Sequence, residues 1–330
     1  MDTLLPLIFF FIMGFAVLTY SILDGYDLGI GILLPLGDEA EKDQMIASIG
    51  PFWDANETWI VLGVGVLLIA FPEAHGRVLT ALYLPVTLML IGLILRGVAF
   101  DLRVKAGLNQ KHLWDRAFFA GSLLASVTQG WMVGAYITGL KPGLTNTLFA
   151  GLIAVLLPAF YVFLGSAWLM IKTEGVLFDK AVGWAKRAIP PMAGALLLIS
   201  IATPLVSATI AARWFTLPNA IGLSPIPISC VLVFGALIGF FSRSRQTLYR
   251  YAWMPFAGTV VIGLMAAIGL AYSLYPYIVI DELTIWETAS ATNSLLFVLV
   301  GVAVSVPAII GYSIFVYRTF AGKTGDLEYD

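Results

Sequence analysis

The stretch Gly50-Pro51-Phe52-Trp53-Asp54-Ala55-Asn56-Glu57-Thr58-Trp59 leads directly into an apolar run from Ile60 to Phe71. The composition of that run predicts a helix that enters a membrane. Asp54 and Glu57 are three residues apart, so they share one face of the first turn, and Trp53 and Trp59 flank them. Carboxylates so close to hydrocarbon are costly unless they are paired or wetted, which makes this turn the first candidate site.

The composition places the whole chain in a membrane. Of its 330 residues, 60% are hydrophobic and only 12% are charged, whereas soluble domains carry about 25% charged residues. The net charge is -2 and no basic block is present, which argues against a nucleic-acid partner. Cys230 is the single cysteine, so an intramolecular disulfide and a cysteine-based metal centre are excluded. The N-terminus lacks the basic start of a cleaved signal peptide, so the first apolar run is expected to remain as a span.

The sequence predicts an all-α integral membrane protein with about nine transmembrane helices, in a single polytopic domain over residues 1–330. A span needs about 20 apolar residues. The predicted spans are residues 4–34, 53–71, 78–100, 117–137, 148–171, 192–212, 226–241, 253–275 and 294–316.

The basic residues of the loops predict that the N-terminus is outside and the C-terminus cytoplasmic. With that orientation the inside segments hold 14 of the 18 Lys and Arg residues, the outside segments hold 3, and Arg96 lies within a span. Cytoplasmic loops of membrane proteins carry such an excess of positive charge. A missed or extra helix would break this alternation, so the charge pattern also favours nine spans.

Polar residues from the first three spans are predicted to meet near the cytoplasmic surface. Asp24 lies 20 residues after Leu4, or about 30 Å along a helix, which is the thickness of the hydrocarbon. The second span starts on that same side. The predicted inner group is Asp24, Asp27, Asp54, Glu57, Arg96 and Asp101, with Arg103 and Lys105 just beyond.

This inner group has three interpretations. Helix capping and interfacial solvation explain an isolated acid such as Asp54. A water-accessible proton path explains the whole group better, because Arg96 supplies a partner for a buried acid. A polar clamp against a partner subunit is the alternative functional explanation of the whole group. Trp53 and Trp59 adjoin the acids and are candidates for a specific contact. Gly63 and Gly65 would allow another helix to approach closely.

A second polar group is predicted outside, before the last span. The loop Asp281-Glu282-Leu283-Thr284-Ile285-Trp286-Glu287-Thr288 contains three acids and no base. Trp286 and Glu287 are its candidate site residues.

His75 and His112 are the only histidines of the chain. Haem iron commonly takes a histidine or methionine ligand. His75 is predicted in a loop between the second and third spans, and His112 in a basic inner loop, so neither faces another histidine within a span. The expectation is that this chain binds no haem and holds no metal ion.

Several motifs together resemble subunit II of the cytochrome bd quinol oxidases. Any single piece is weak, but the ordered set is specific and runs from near residue 20 to near residue 318. The motifs are Asp24-Gly25-Tyr26-Asp27-Leu28-Gly29, the stretch from Gly50 to Trp59, Phe71-Pro72, Leu95-Arg96-Gly97-Val98-Ala99-Phe100-Asp101-Leu102-Arg103, and Leu283-Thr284-Ile285-Trp286-Glu287-Thr288-Ala289-Ser290.

The resemblance implies a non-haem subunit paired with a haem-bearing subunit I of similar nine-helix architecture, in the bacterial inner membrane. In that family subunit I holds two b-type haems, haem d and the quinol-oxidising loop, and the complex reduces oxygen to water. The resemblance further implies a proton route at Asp101 and Lys105 and an oxygen route near Trp59 and Arg96. A structural quinone in subunit II, a small accessory subunit and lipid are the other implied partners.

A proton-coupled transporter is the competing class, because intramembrane acids and an arginine suit a carrier. The sequence shows no repeat symmetry and no pair of broken helices in corresponding halves, which many carriers display. A co-purifying haem subunit would distinguish an oxidase from a carrier. An assembly scaffold is the third interpretation, and charge-neutral substitutions in the inner group that leave turnover unchanged would favour it.

Overall fold

The long apolar runs of the chain fold as helices, because a helix satisfies its own backbone hydrogen bonds inside lipid. The computed structural model describes residues 2–324. Its elements are α1 Leu4–Leu33, α2 Glu39–Ala47, α3 Trp53–Ala70, α4 Pro72–Lys105, α5 Leu108–Ile137, α6 Leu144–Lys172, α7 Gly175–Val206, α8 Ala208–Phe215, α9 Asn219–Leu223, α10 Pro225–Phe241, α11 Arg245–Arg250, α12 Trp253–Leu274, β1 Tyr277–Val279, β2 Leu283–Thr284 and α13 Thr292–Thr319.

The predicted all-α membrane class is confirmed. Within the described residues, eight helices are long and apolar enough to cross a membrane. Helix α5, which covers the predicted fourth span, has 30 residues but is not among these eight helices. The number of about nine spans, the orientation and the single domain therefore stay predictions.

Several helices differ in extent from the predicted spans. The third span was predicted to begin at Val78, but α4 begins at Pro72, because proline suits the first turn of a helix. Asp101, Arg103 and Lys105 thus belong to α4 itself. The predicted sixth span, 192–212, is wrong as a continuous helix: α7 ends at Val206, and the Ser207 side chain caps α8.

A short helix that was not predicted, α2, links α1 to α3. Asp38 and Glu41 form a reciprocal capping box at its start, with Glu41 N to Asp38 Oδ1 at 2.9 Å and Asp38 N to Glu41 Oε2 at 2.8 Å. Such a box satisfies two backbone donors that a helix start leaves free. Asp43 of this helix pairs with Arg103 of α4 and with Lys111 of α5, which ties α2 to both helices.

Glycines permit a close backbone contact between α1 and α6. A Cβ atom added to Gly29 would lie 1.8 Å from the carbonyl oxygen of Tyr161, and one added to Gly165 would lie 2.6 Å from the carbonyl carbon of Gly29. Small residues allow backbones to touch in this way. Of the two glycines chosen from the sequence, Gly63 faces Val17 of α1 at 3.1 Å, whereas nothing among the described residues lies within 4 Å of a Cβ at Gly65.

We expect Gly29→Ala to disrupt the packing of α1 on α6, because the added methyl group collides with backbone rather than with a flexible side chain. Overpacking of an ordinary core costs about 1–3 kcal/mol. Thermal unfolding of the detergent-purified complex should show a lowered midpoint or a loss of assembled material. Gly14→Ala lies on the same helix with open space around its Cβ and is the matched control. Equal stability of the two variants would contradict this packing.

Candidate functional site

One buried guanidinium joins three helices. Arg96 on α4 donates through Nη1 to Asp24 Oδ1 on α1 at 2.6 Å, and through Nη2 to Glu57 Oε1 on α3. The Arg96 side chain is 2% exposed, that of Asp24 is 0% exposed, and that of Glu57 is 27% exposed. Arginine suits this position because its planar fork can engage two carboxylates at once. The structure thus brings together three members of the predicted inner group.

Asp27 lies one turn beyond Asp24 on α1 and is held by a neutral amide. Asn56 Nδ2 on α3 donates to Asp27 Oδ2 and to Tyr26 Oη, each at 2.8 Å. Tyr317 Oη on α13 donates to Asn56 Oδ1 at 3.0 Å, and the hydroxyl oxygens of Tyr26 and Tyr317 are 2.7 Å apart. Asp27 and Asn56 are both fully buried. This network connects α13 to α1 and α3.

Sequence reasoning missed a third polar group within the bundle. Gln129 on α5 donates through Nε2 to Tyr20 Oη at 2.8 Å and accepts from Tyr161 Oη through Oε1 at 2.6 Å. A glutamine inside an apolar helix was the available signal, because an amide in hydrocarbon needs partners. The tyrosines gave no signal of their own, since interfacial positions suit tyrosine equally well.

The two tryptophans of the opening stretch lie in different surroundings. Trp59 is 2% exposed and packs edge-on against Phe15, with ring centroids 5.7 Å apart. Trp53 is half-buried and packs against Phe100 at 5.4 Å. Asp54, between them in sequence, is exposed. The structure does not bring Asp54 into the Arg96 group.

Arg103 forms a separate cluster at the end of α4. Its Nη1 donates to Asp43 on α2 at 2.6 Å, and its Nε donates to Asp115 on α5 at 2.5 Å. Lys42 Nζ approaches Asp115 Oδ2 at 3.3 Å. Burial raises the pKa of Asp43, but the hydrogen bonds and charges of Arg103 and Lys111 together outweigh it, so this pKa lies below its ordinary value. Asp43 and Asp115 were not predicted as site residues.

Asp101 and Lys105 are exposed on α4. Among the residues that the structure describes, Arg103 pairs with Asp43 and Asp115 and not with Asp101. No salt bridge joins Asp101 to Arg103 or to Lys105 among these residues. The inner group divides into a buried cluster around Arg96, a second cluster around Arg103, and exposed members at Asp54, Asp101 and Lys105.

The outer acidic loop folds as a hairpin of β1 and β2, and its acids find partners elsewhere. Arg77 Nε of α4 pairs with Glu282 Oε1 at 2.5 Å, and Lys141 Nζ pairs with Asp281 Oδ2 at 3.0 Å. The hydrogen bond from Thr209 is the largest influence that lowers the pKa of Asp281. Arg77 of α4 and Lys141, which follows α5, thus each pair with one acid of the loop.

Trp286 and Glu287 fasten this hairpin. Trp286 Nε1 donates to the carbonyl oxygen of Thr3 at 3.0 Å. Glu287 accepts from the Thr284 hydroxyl at 2.6 Å and from the Thr284 N–H at 2.8 Å, and these bonds lower its pKa. Both candidates of the outer group have a local structural role.

The histidines lie far from each other. His75 belongs to the first turn of α4, not to a loop as predicted, and is half-buried, while His112 is exposed on α5. The full length of α4, about 50 Å at 1.5 Å per residue, lies between them. Over residues 2–324 no group of three His, Cys, Asp or Glu side chains is arranged to hold a metal ion. These side chains do not fit a haem that needs two histidines.

Comparisons with known proteins identify what the chain resembles. The family model described as cytochrome bd terminal oxidase subunit II matches residues 5–320. Cytochrome bd ubiquinol oxidase subunit 2 of Bacillus subtilis is 25% identical over 97% of each chain. Cytochrome bd-I ubiquinol oxidase subunit 2 of Escherichia coli K12 is 31% identical over 41% of this chain and 36% of that one. A chain of the bd oxidase from Geobacillus thermodenitrificans has the same fold, with a TM-score of 0.76 at 15% identity over 96% of this chain and 98% of that chain.

We expect Arg96→Gln to destabilise the protein strongly, because Asp24 then loses its cation while it stays buried. Breaking a buried ion pair by removal of one partner costs about 3–5 kcal/mol. Thermal unfolding in detergent measures the loss, and Arg116→Gln at an exposed position of α5 is the control. The double variant Asp24→Asn/Arg96→Gln should regain part of the stability. A single variant as stable as the control would show that the pair contributes little.

Proposed function

The chain belongs to the cytochrome bd terminal oxidase subunit II family, and on that premise we propose that it is the non-haem subunit of a quinol:oxygen oxidoreductase. It is a multi-pass bacterial membrane protein and a subunit of an oxidoreductase complex. The family match over residues 5–320 carries the proposal. The same match does not favour the alternative of a proton-coupled transporter.

We assign the redox centres to a partner. A haem-bearing subunit I would hold the b-type haems and haem d, oxidise quinol and reduce oxygen to water. The donor set of this chain supports that division, because His75 lies in the first turn of α4 and His112 near the start of α5, so that most of the length of α4 separates them. The bacterial inner membrane is the proposed location.

The described contacts suggest what this chain contributes. Asp54, Asp101 and Lys105 are exposed, so they are available to a proton route along the interface with subunit I. Arg96 and Trp59 are buried and would border an oxygen route as fixed walls rather than as mobile groups. Exposed apolar side chains such as Phe297, 83% exposed, offer surface to lipid, a quinone tail or a small accessory subunit.

Purification through a tag on this chain tests the assignment. We expect a second, haem-bearing subunit in stoichiometric amount and visible bands of b- and d-type haem. The double variant His75→Ala/His112→Ala should retain every haem band, because neither side chain is placed to share a haem with the other. Loss of one band in an otherwise assembled complex would contradict the assignment. A colourless, monodisperse protein without a partner would overturn the function itself.

Asp101→Asn tests the proton route. The change keeps size and hydrogen bonding but removes the titrating proton, so oxygen consumption should fall severalfold with assembly and haem content unchanged. Glu73→Gln, an exposed acid at the other end of α4, is the matched control. An Asp101→Asn complex that turns over at the parental rate between mildly acidic and mildly alkaline pH would leave Asp101 without a part in proton transfer.

A further inference from the structure

Three carboxyl groups lie near one guanidinium. Arg96 bonds Asp24 and Glu57 directly, whereas Asp27 accepts a hydrogen bond from the neutral amide of Asn56. If all three acids were ionised, two negative charges would remain uncompensated. A buried ionised carboxylate without a partner is far more costly than a neutral one. At least one of these acids is therefore expected to bind a positive ligand.

Asp27 is the acid that the contacts single out. Its side chain is 0% exposed, and its Oδ1 atom has no hydrogen-bond partner among the described residues. The side chain lines a recess together with Trp53, Arg96, Phe100 and Phe118. Asp24 is equally buried and also has one free oxygen, but its other oxygen receives the guanidinium bond directly.

The recess limits the ligand that Asp27 can take. Besides Asp27 and Arg96, its lining consists of Ile49, Gly97 and the rings of Trp53, Phe100 and Phe118. A buried water needs two or more polar partners, and a metal ion likewise needs further ligands, which this lining does not supply. A proton needs no ligand besides Asp27 itself.

We propose that Asp27 carries a proton in the resting protein and is a neutral carboxylic acid beside the Arg96 ion pairs. The proton occupies a carboxyl oxygen of Asp27, and the amide of Asn56 can donate to the other oxygen in that state. Asp24 and Glu57 then remain as the two carboxylates bonded to Arg96, and the cluster carries one negative charge instead of two. Protonation of this acid is independent of the proposed oxidase function.

The groups that face Asp27 act in opposite directions on its proton. The carboxylates of Asp24 and Glu57 and the apolar surroundings favour the protonated form, while the charge of Arg96 opposes it. Both Nη groups of Arg96 already donate hydrogen bonds to the other two acids. The facing groups are Asp24 and Tyr26 on α1, Asn56 and Glu57 on α3, Arg96 on α4, the apolar Phe118 on α5 and Tyr317 on α13.

Infrared spectroscopy of the purified complex tests the proposal, since the carbonyl stretch of a protonated carboxyl absorbs apart from that of a carboxylate. Labelling of aspartate with carbon-13 at its side-chain carboxyl identifies aspartic-acid bands by their shift. We expect one labelled band in the parental complex that Asp27→Asn abolishes completely. Asp54→Asn, at an exposed aspartate of α3, should retain it. Identical protonated-carboxyl spectra for the parent and Asp27→Asn would overturn the proposal.

A second variant covers the case in which Asp27→Asn does not assemble. Asn56→Ala removes the donor to Asp27 Oδ2 and leaves the carboxyl in place, so the labelled band should move to higher frequency without loss of intensity. A band that does not move, or a labelled spectrum without any protonated aspartic acid, would show that Asp27 is ionised.

Discussion

The pairing of Arg96 with Asp24 and Glu57 is the interaction on which the contact of α1, α3 and α4 depends. In lipid, apolar side chains gain little from meeting one another, because the tails of the bilayer are equally apolar. Fixed polar contacts therefore decide which faces of these helices meet. A guanidinium with two carboxylates specifies one rotation of each helix about its axis, since a turned helix would leave a buried charge alone. The glycine contact of α1 with α6 then fixes the opposite side of α1.

The sequence predicted the parts of this arrangement that follow from local pattern. Long apolar runs gave the fold class, and the spacing of Asp24, Glu57 and Arg96 from the span ends gave their common depth. Depth alone does not give rotation about a helix axis, which is why Arg103 was grouped with Arg96. The structure turns Arg103 toward α2 and α5 instead. Helix α2 itself was missed because it is short, polar and has no apolar periodicity to reveal it.

The other contacts that the sequence did not predict join residues that are distant along the chain. Tyr317 reaches Asn56 across 261 positions, and neither residue is unusual at its own place in the chain. The glycine contacts were similarly hidden. Gly63 and Gly65 differ from Gly29 and Gly165 only in what faces them, and the identity of the facing helix is a property of the assembled bundle. The acids of the outer loop looked unpaired for the same reason, because Arg77 and Lys141 are distant from them in sequence.

The order of the ion-paired residues along the chain has a consequence for biogenesis. Synthesis proceeds from the N-terminus, so Asp24 and Glu57 leave the ribosome before the cation that neutralises them. Arg96 follows Glu57 by 39 positions. An ionised aspartate opposes release into lipid, by about 2.5–3.5 kcal/mol at the centre of a span and by less near its end, so α1 gains from remaining beside the insertion machinery until α4 has been made. We therefore expect the three helices that meet at the guanidinium to enter the membrane as one unit rather than one after another.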